Sequence, residues 1–237
     1  MSGTALIPAR GGSRRVPRKN VRPFLGVPAI ARVVGTLQDS GVIGRIIIST
    51  DDPAIATIAR EVGAEVPGLR PSELADDHTP TIDVVRHALR TWLADMQPDA
   101  PLWVVYPTAL LITPDEVRAA EERFAASDVD FLASIMRYRH PVERRLRADD
   151  DGLLVPEVPA ALHSRTQDLQ PAFHDAGQFY IGRTGAWHSG SPLESRSLVG
   201  HELGPFSVVD IDEPRDWSFA ELIGRARTMP GREQGVD

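Results

Sequence analysis

Apolar residues come along this chain in short bursts, and the bursts alternate between two rhythms. Residues 4–9, 45–50, 102–106 and 131–135 are nearly unbroken apolar or β-branched runs, the pattern of strands buried on both faces. Between them apolar residues fall three and four apart. Ile30, Val33, Val34 and Leu37 share one face of a helix over 28–40, with Gly41 to end it. Ile55, Ile58, Ala59 and Val62 do the same for a helix that opens at Thr50-Asp51-Asp52-Pro53 and stops at Gly63. Ile82, Val85, Ala88, Leu89 and Leu93 mark a third helix over 81–93, and Thr113 before Pro114 caps a fourth that runs to 126. Ala64-Glu65-Val66 reads as a short additional strand.

The alternation is βαβαβ, which predicts an α/β fold with a mostly parallel sheet flanked by helices. Ligands of such sheets gather beyond the carboxyl ends of the strands, so the loops after Ala9, Thr50 and Val66 are expected to share one site. From about 137 to 171 the rhythm is lost. That stretch is polar and weakly periodic, and it predicts a small hairpin excursion within an otherwise single domain over 1–237. Strands at 178–181 and 207–212 and a helix over 214–227 follow, and the tail from Met229 is expected to fray.

Composition narrows the picture only a little. The 237 residues, 42% of them apolar, suffice for a sizeable core, and no cysteine is present to form disulfides or thiolate metal sites. The formal charge of -7 argues against a nucleic-acid partner. No signal-like opening and no apolar run of membrane length are found, so the expectation is a cytoplasmic protein without a membrane partner. Against this acidic background Arg10, Arg14, Arg15, Arg18, Lys19 and Arg22 crowd positions 10–22 with no acid among them. Such a block at a strand's end suits a polyphosphate.

The Gly11-Gly12 turn lets backbone N–H groups approach a phosphate, although it matches neither the Walker nor the dinucleotide glycine pattern. Lys19 offers a point charge, and Arg10 and Arg14 offer forked guanidinium groups. Asp210 and Asp212, two apart on the expected last strand, would face the same side and could hold a hard cation such as Mg²⁺. Asp212 could equally cap the following helix. Ser49-Thr50-Asp51-Asp52 reads first as a helix cap with first-turn acid. His201-Glu202 lacks the second histidine of a zinc helix. A phosphate loop at one strand end and a carboxylate pair at another together fit metal-dependent nucleotidyl transfer.

The run Ile7-Pro8-Ala9-Arg10-Gly11-Gly12-Ser13-Arg14-Arg15-Val16-Pro17-Arg18-Lys19-Asn20 resembles the signature of the CMP-sialic-acid synthetases, or acylneuraminate cytidylyltransferases. Ser49-Thr50-Asp51-Asp52, Leu69-Arg70-Pro71-Ser72-Glu73-Leu74-Ala75-Asp76-Asp77 and Asp210-Ile211-Asp212 match further blocks of that family in order. Ser164-Arg165-Thr166-Gln167-Asp168-Leu169 and Ala172-Phe173-His174-Asp175-Ala176-Gly177-Gln178-Phe179-Tyr180 look most like its pseudaminic acid branch.

The resemblance implies a Rossmann-like nucleotide-diphospho-sugar transferase fold, with CTP as co-substrate and Mg²⁺ as cofactor. The anomeric hydroxyl of a nine-carbon keto-sugar acid would attack the α-phosphate, giving a CMP-sugar and pyrophosphate. It places Ala9, Arg10, Gly11, Gly12, Ser13 and Lys19 around the triphosphate, and Asn20, Arg70 and Asp77 around the base and ribose. Arg14, Lys19 and Asp212 would be catalytic, and Asp210 and Asp212 would hold the metal. Tyr106, Arg165, His174 and Gln178 would meet the sugar acid, and the excursion would carry a homodimer contact. Two departures stand out. Arg14 replaces a lysine common in the motif, and Tyr106-Pro107-Thr108-Ala109-Leu110-Leu111 replaces the Gln-Pro-Thr-Ser-Pro-Leu-Arg of the sialic acid enzymes. The second change points to a less hydroxylated sugar than N-acetylneuraminate. Legionaminate or neuraminate as acceptor, and nucleotide binding without turnover, are the alternatives.

Overall fold

The computed structural model describes residues 3–13 and 15–228. Arg14 and the tail from Met229, both assigned expectations above, lie outside the described residues. The chain runs β1 (Gly3–Pro8), β2 (Pro23–Phe24), β3 (Val27–Pro28), α1 (Ala29–Ser40), β4 (Ile43–Ser49), α2 (Pro53–Glu61), α3 (Thr81–Thr91), β5 (Pro101–Val105) and α4 (Pro114–Ala125). It continues through β6 (Phe131–Arg137), β7 (Leu146–Ala148), β8 (Leu154–Pro156), β9 (Phe173–Arg183), α5 (Thr184–Ser189), β10 (Leu198–Glu202) and α6 (Pro214–Thr228).

Six strands form the main sheet in the order β10-β6-β9-β5-β1-β4. β4, β1 and β5 are mutually parallel, β10 is parallel to β6, and β9 runs antiparallel between β5 and β6. Both faces are covered. Ile7, Ile48, Trp103 and Phe179 pack toward α1, α4 and α6, while Leu6, Ile47, Val104 and Tyr180 pack toward α3 and α5. A central strand with both faces buried must be apolar at successive positions, which is why the continuous runs in the sequence are legible as strands. The helix ends follow local chemistry. Gly41 closes α1 at φ 72°, and Thr113 and Glu116 form a reciprocal capping box at the start of α4. No helix of the described residues is long and apolar enough to cross a membrane.

Three expectations need correction. Residues 64–66 do not form a strand; they make one parallel bridge, between Glu65 and Ile47. Residues 207–212 form no strand and pair with nothing in the sheet. Their β-branched, alternating pattern does bury Ile211, yet the edge of the sheet is already taken by β10, which the sequence reading missed together with α5. Burial pattern reports where a side chain goes and not which backbone it pairs with. The same 207–212 segment therefore cannot place Asp210 and Asp212 on one face by strand alternation. Within the expected excursion, β7 and β8 pair as an antiparallel hairpin separate from the main sheet.

Candidate active site

The cation loop is shaped by one close approach. β1 ends at Pro8, and Ala9, fully buried, donates its N–H to the Ser49 carbonyl at 2.9 Å. The chain then passes the start of α2 at Gly11, where a Cβ would lie 2.8 Å from both Cβ and Oδ2 of Asp52. Only glycine fits there. Two adjacent acids divide the work at this point. Asp52 caps α2 by accepting from Ala54 N at 2.7 Å, and Asp51 accepts from Gly11 N at 3.0 Å. The loop then winds around buried Val16: Ser13 Oγ donates to the Val16 carbonyl at 2.7 Å, and Asn20 Nδ2 donates to the Arg10 carbonyl at 2.8 Å. The N–H groups of Gly11 and Ser13 are thus engaged by Asp51 and by Gly11's own carbonyl, so the expected phosphate nest is partly satisfied from within; Gly12 is exposed.

Beyond β1 lies a cavity of about 250 Å³ bounded by Arg10, Lys19, Asn20, Arg70, Asp77 and Tyr106, with Thr81 and Thr108 completing its wall. Six residues singled out from sequence are therefore brought together. Arg70 is the least expected in its environment. Its backbone N–H donates to the Thr50 carbonyl at 2.7 Å, which draws its side chain inward until it is 4% exposed. Its Nε and one terminal nitrogen have no hydrogen-bond partner, and the nearest carboxylate, Asp51, is 3.9 Å away. Burial holds this guanidinium below the usual arginine range, with Asp51 opposing the shift. Buried Asn20, in the same wall, leaves its Oδ1 without a partner. Unpaired buried donors and an unpaired buried acceptor lining one cavity are costly unless something polar fills it. Arg10 reaches across the mouth, donating to the Asp76 carbonyl at 2.8 Å and pairing with Asp77 at 2.6 Å.

An adjoining cavity of about 230 Å³ shares Arg10, Lys19 and Asp77 and is closed by Ser13, Arg15 and Asp212. Lys19 Nζ donates to the Ile211 carbonyl at 3.0 Å, between the two carboxylates. Burial pushes its pKa below the ordinary lysine value, while Asp212 and Asp210 pull it back. The Asp210 carboxyl is pushed up, first by partial burial and then by its neighbour Asp212, although the residue as a whole is exposed. Asp212 is paired with Arg15 at 2.8 Å. Asp216, in the first turn of α6, accepts from the N–H groups of Asp212 at 3.0 Å and Glu213 at 2.6 Å, which holds its own carboxyl below the usual range. The carboxylate pair is thus assembled by Lys19 and Asp216 and not by a sheet ladder. A divalent cation fits this donor set only with help. No third His, Cys, Asp or Glu clusters with the pair among the described residues, so further oxygens must come from phosphate or water, an arrangement Mg²⁺ accepts.

A third cavity, of about 450 Å³, lies on the other side of Tyr106 and Thr81, whose hydroxyls are hydrogen bonded at 3.0 Å. Tyr180, Trp187, Ile82, Pro192 and Leu193 make it largely apolar. Tyr180 donates to the Asp175 carboxylate, and burial raises the pKa of both tyrosines, so each is a neutral hydroxyl. Gln178 is buried, with Nε2 donating to the Ala176 carbonyl at 2.8 Å and Oε1 unpartnered. Arg165 and His174 are exposed and line none of these three cavities. Asp51 and Arg15 are the contributors that sequence reasoning passed over. Asp51 was hidden beside a genuine helix cap, and Arg15 among many cations.

Residues 4–171 match the family model described as cytidylyltransferase. The chain belongs to the cytidylyltransferase family. As a nucleotidyltransferase of this family it is 32% identical over 227 residues to the pseudaminic acid cytidylyltransferase of Campylobacter jejuni, covering 94% of this chain and 96% of that one. It is 28% identical over 228 residues to the CMP-N,N'-diacetyllegionaminic acid synthase of Legionella pneumophila, covering 92% and 94%. Among solved structures, CMP:2-keto-3-deoxy-manno-octonic acid synthetase complexed with CTP superposes with a TM-score of 0.67 at 16% identity, covering 96% of this cytidylyltransferase and all of that chain. That likeness establishes the fold. The matched stretch ends before Gln178, Asp210 and Asp212.

Proposed function

We propose that this cytidylyltransferase transfers CMP from CTP to the anomeric hydroxyl of a nonulosonic acid, pseudaminic acid in first place, and releases pyrophosphate. The observation that carries the reading is the unpaired polar lining of the first cavity. The Arg70 guanidinium offers donors to a carbonyl or ring nitrogen, and Asn20 Oδ1 offers an acceptor to an amino group, which is the complement of a cytosine edge. The relatives named above act on sialic-acid-like sugars, and the apolar third cavity suits an acceptor with fewer hydroxyls than neuraminate.

In this reading Arg10 and Lys19 receive the triphosphate, giving up Asp77 and the Ile211 carbonyl, and Arg14 adds a further cation in catalysis. Gly11, Gly12 and Ser13 bring backbone close to the phosphates. Asp210 and Asp212 would hold Mg²⁺ together with phosphate oxygens; when bound, the ion neutralises charge on the phosphates and the departing pyrophosphate. Asp212 helps remove the proton of the attacking hydroxyl, and no covalent enzyme intermediate is needed. The acceptor lies across Tyr106, near Gln178. Arg165, for the sugar's carboxylate, and His174 are supplied by a second copy of the chain. The excursion supports that homodimer: Leu146, Leu153 and Leu154 on its hairpin are 52%, 66% and 66% exposed, and Val155, Val158 and Leu162 extend the apolar surface. On this reading the need for CTP makes the cytoplasm the expected location.

The test is to incubate the protein with CTP, Mg²⁺ and a panel of nonulosonic acids and to measure pyrophosphate release. Release with pseudaminate above legionaminate and neuraminate is expected. Release with neuraminate alone reverses the acceptor assignment, and CTP binding without release from any acid leaves a nucleotide-binding protein.

A further inference from the structure

The antiparallel strand β9 is not regular. Ala133 pairs with Tyr180 and Ile135 with Asp175, so the single residue Ser134 on β6 faces the four residues from Ala176 to Phe179. A bulge of that size leaves backbone N–H groups without ladder partners in the middle of a sheet. Ser134, fully buried, takes up two of them: its Oγ accepts from Gln178 N at 3.3 Å and from Phe179 N at 3.1 Å. One hydroxyl thus does what two carbonyls would do in a regular ladder. The residues flanking the bulge, Asp175 and Tyr180, are joined by the phenol-to-carboxylate hydrogen bond. From the bulge the Gln178 carbonyl accepts from Tyr106 N at 2.9 Å, so the same bonded chain ends on the residue that separates the nucleotide cavity from the apolar cavity.

We propose that Ser134 is a positioning residue for the acceptor sugar: its hydroxyl sets the β9 bulge and thereby the places of Gln178, Tyr180 and Tyr106, without itself touching substrate. The inference rests on the acceptor being bound across Tyr106. It predicts a split between the two substrates. Tyr180 and Gln178 hang directly on the bulge, whereas Arg70, Asn20 and Lys19 are held by β4, α2 and the loop after β1. Removing the hydroxyl strands two buried N–H groups, and the bulge must relax to find other partners.

The test is steady-state kinetics of Ser134→Ala with each substrate varied in turn, alongside its melting temperature. The expected result is a KM for the sugar acid raised about tenfold or more, with the KM for CTP within about twofold of the parent. Ser134→Cys, which keeps a weak hydrogen-bond acceptor in the same place on a slightly larger atom, is expected to move the sugar KM in the same direction by less, and it carries the test should the alanine variant not fold. An unchanged sugar KM in a folded variant overturns the proposal, as does an equal rise in both KM values, the signature of general loosening. If the parent protein turns over no nonulosonic acid at all, the functional reading fails and the proposal fails with it. Parent turnover with no substrate split overturns the role of Ser134 alone.

Discussion

The cavity beside β1 and the cavity beside β9 share Tyr106 and Thr81, but they are built in different ways. The first is complete within one chain. Its charged and amide groups are tied to strand ends by backbone bonds, and its unpaired atoms sit on buried, immobilised side chains, Arg70 and Asn20. The second has an apolar wall and lies beside the β9 bulge, while Arg165, expected to meet its ligand, stands exposed on the excursion. Preorganisation is therefore uneven. On the proposed reading one side is already shaped for a base and a triphosphate, and the other would be completed by a second copy of the chain.

The largest expected effect tests the boundary between the two sides. Asp212→Asn keeps shape and removes charge where the proposed reading has both substrates react, and turnover should fall on the order of 10³-fold with the melting temperature little changed. Near-normal turnover would remove Asp212 from the chemistry. Next, Arg70→Met should raise the KM for CTP roughly 10- to 100-fold, the worth of one or two charged hydrogen bonds, with the sugar KM unmoved. If both constants rise together, the two sides are not separable. Smaller still, Arg165→Ala should raise the sugar KM about tenfold and leave CTP alone. Leu154→Asp should reproduce that phenotype by producing monomers in sedimentation velocity; a persisting dimer with intact kinetics would place the subunit contact elsewhere.

The smallest effect concerns pH. Lys19 has its pKa lowered by burial, so its charge is present at low pH and lost as pH rises through that lowered value. The alkaline fall in kcat/KM for CTP should come below the ordinary lysine range and should vanish or move upward in Lys19→Arg. A limb unmoved by that substitution would belong to another group.

The sequence made the first side readable and the second hardly so, for a physical reason. Glycine at a crowded turn, a capping acid after a strand and a block of cations are local devices, and they announce themselves within a few residues, as Gly11, Asp52 and 10–22 do. Strand β1 and helices α1 to α4 were legible because one period governs each. The acceptor side depends on contacts across long separations. The bulge opposite Ser134 has no pattern of its own, β10 is short and half-buried at every position but its end, and the lack of a sheet partner for 207–212 could not be told from its alternation. Asp210 and Asp212 come to lie beside Lys19 by a route that no periodicity encodes.

The bond from Lys19 to the Ile211 carbonyl spans 192 positions and ties the loop after the first strand to the segment before the last helix. A ribosome delivers these two ends far apart in time. The loop, β1 and the pocket for the base are all synthesised well before Asp210 and Asp212 emerge, and domains begin to organise from the N-terminal side as they do so. The residues lining the first cavity are therefore made well before the two carboxylates, which follow only after β9 and β10.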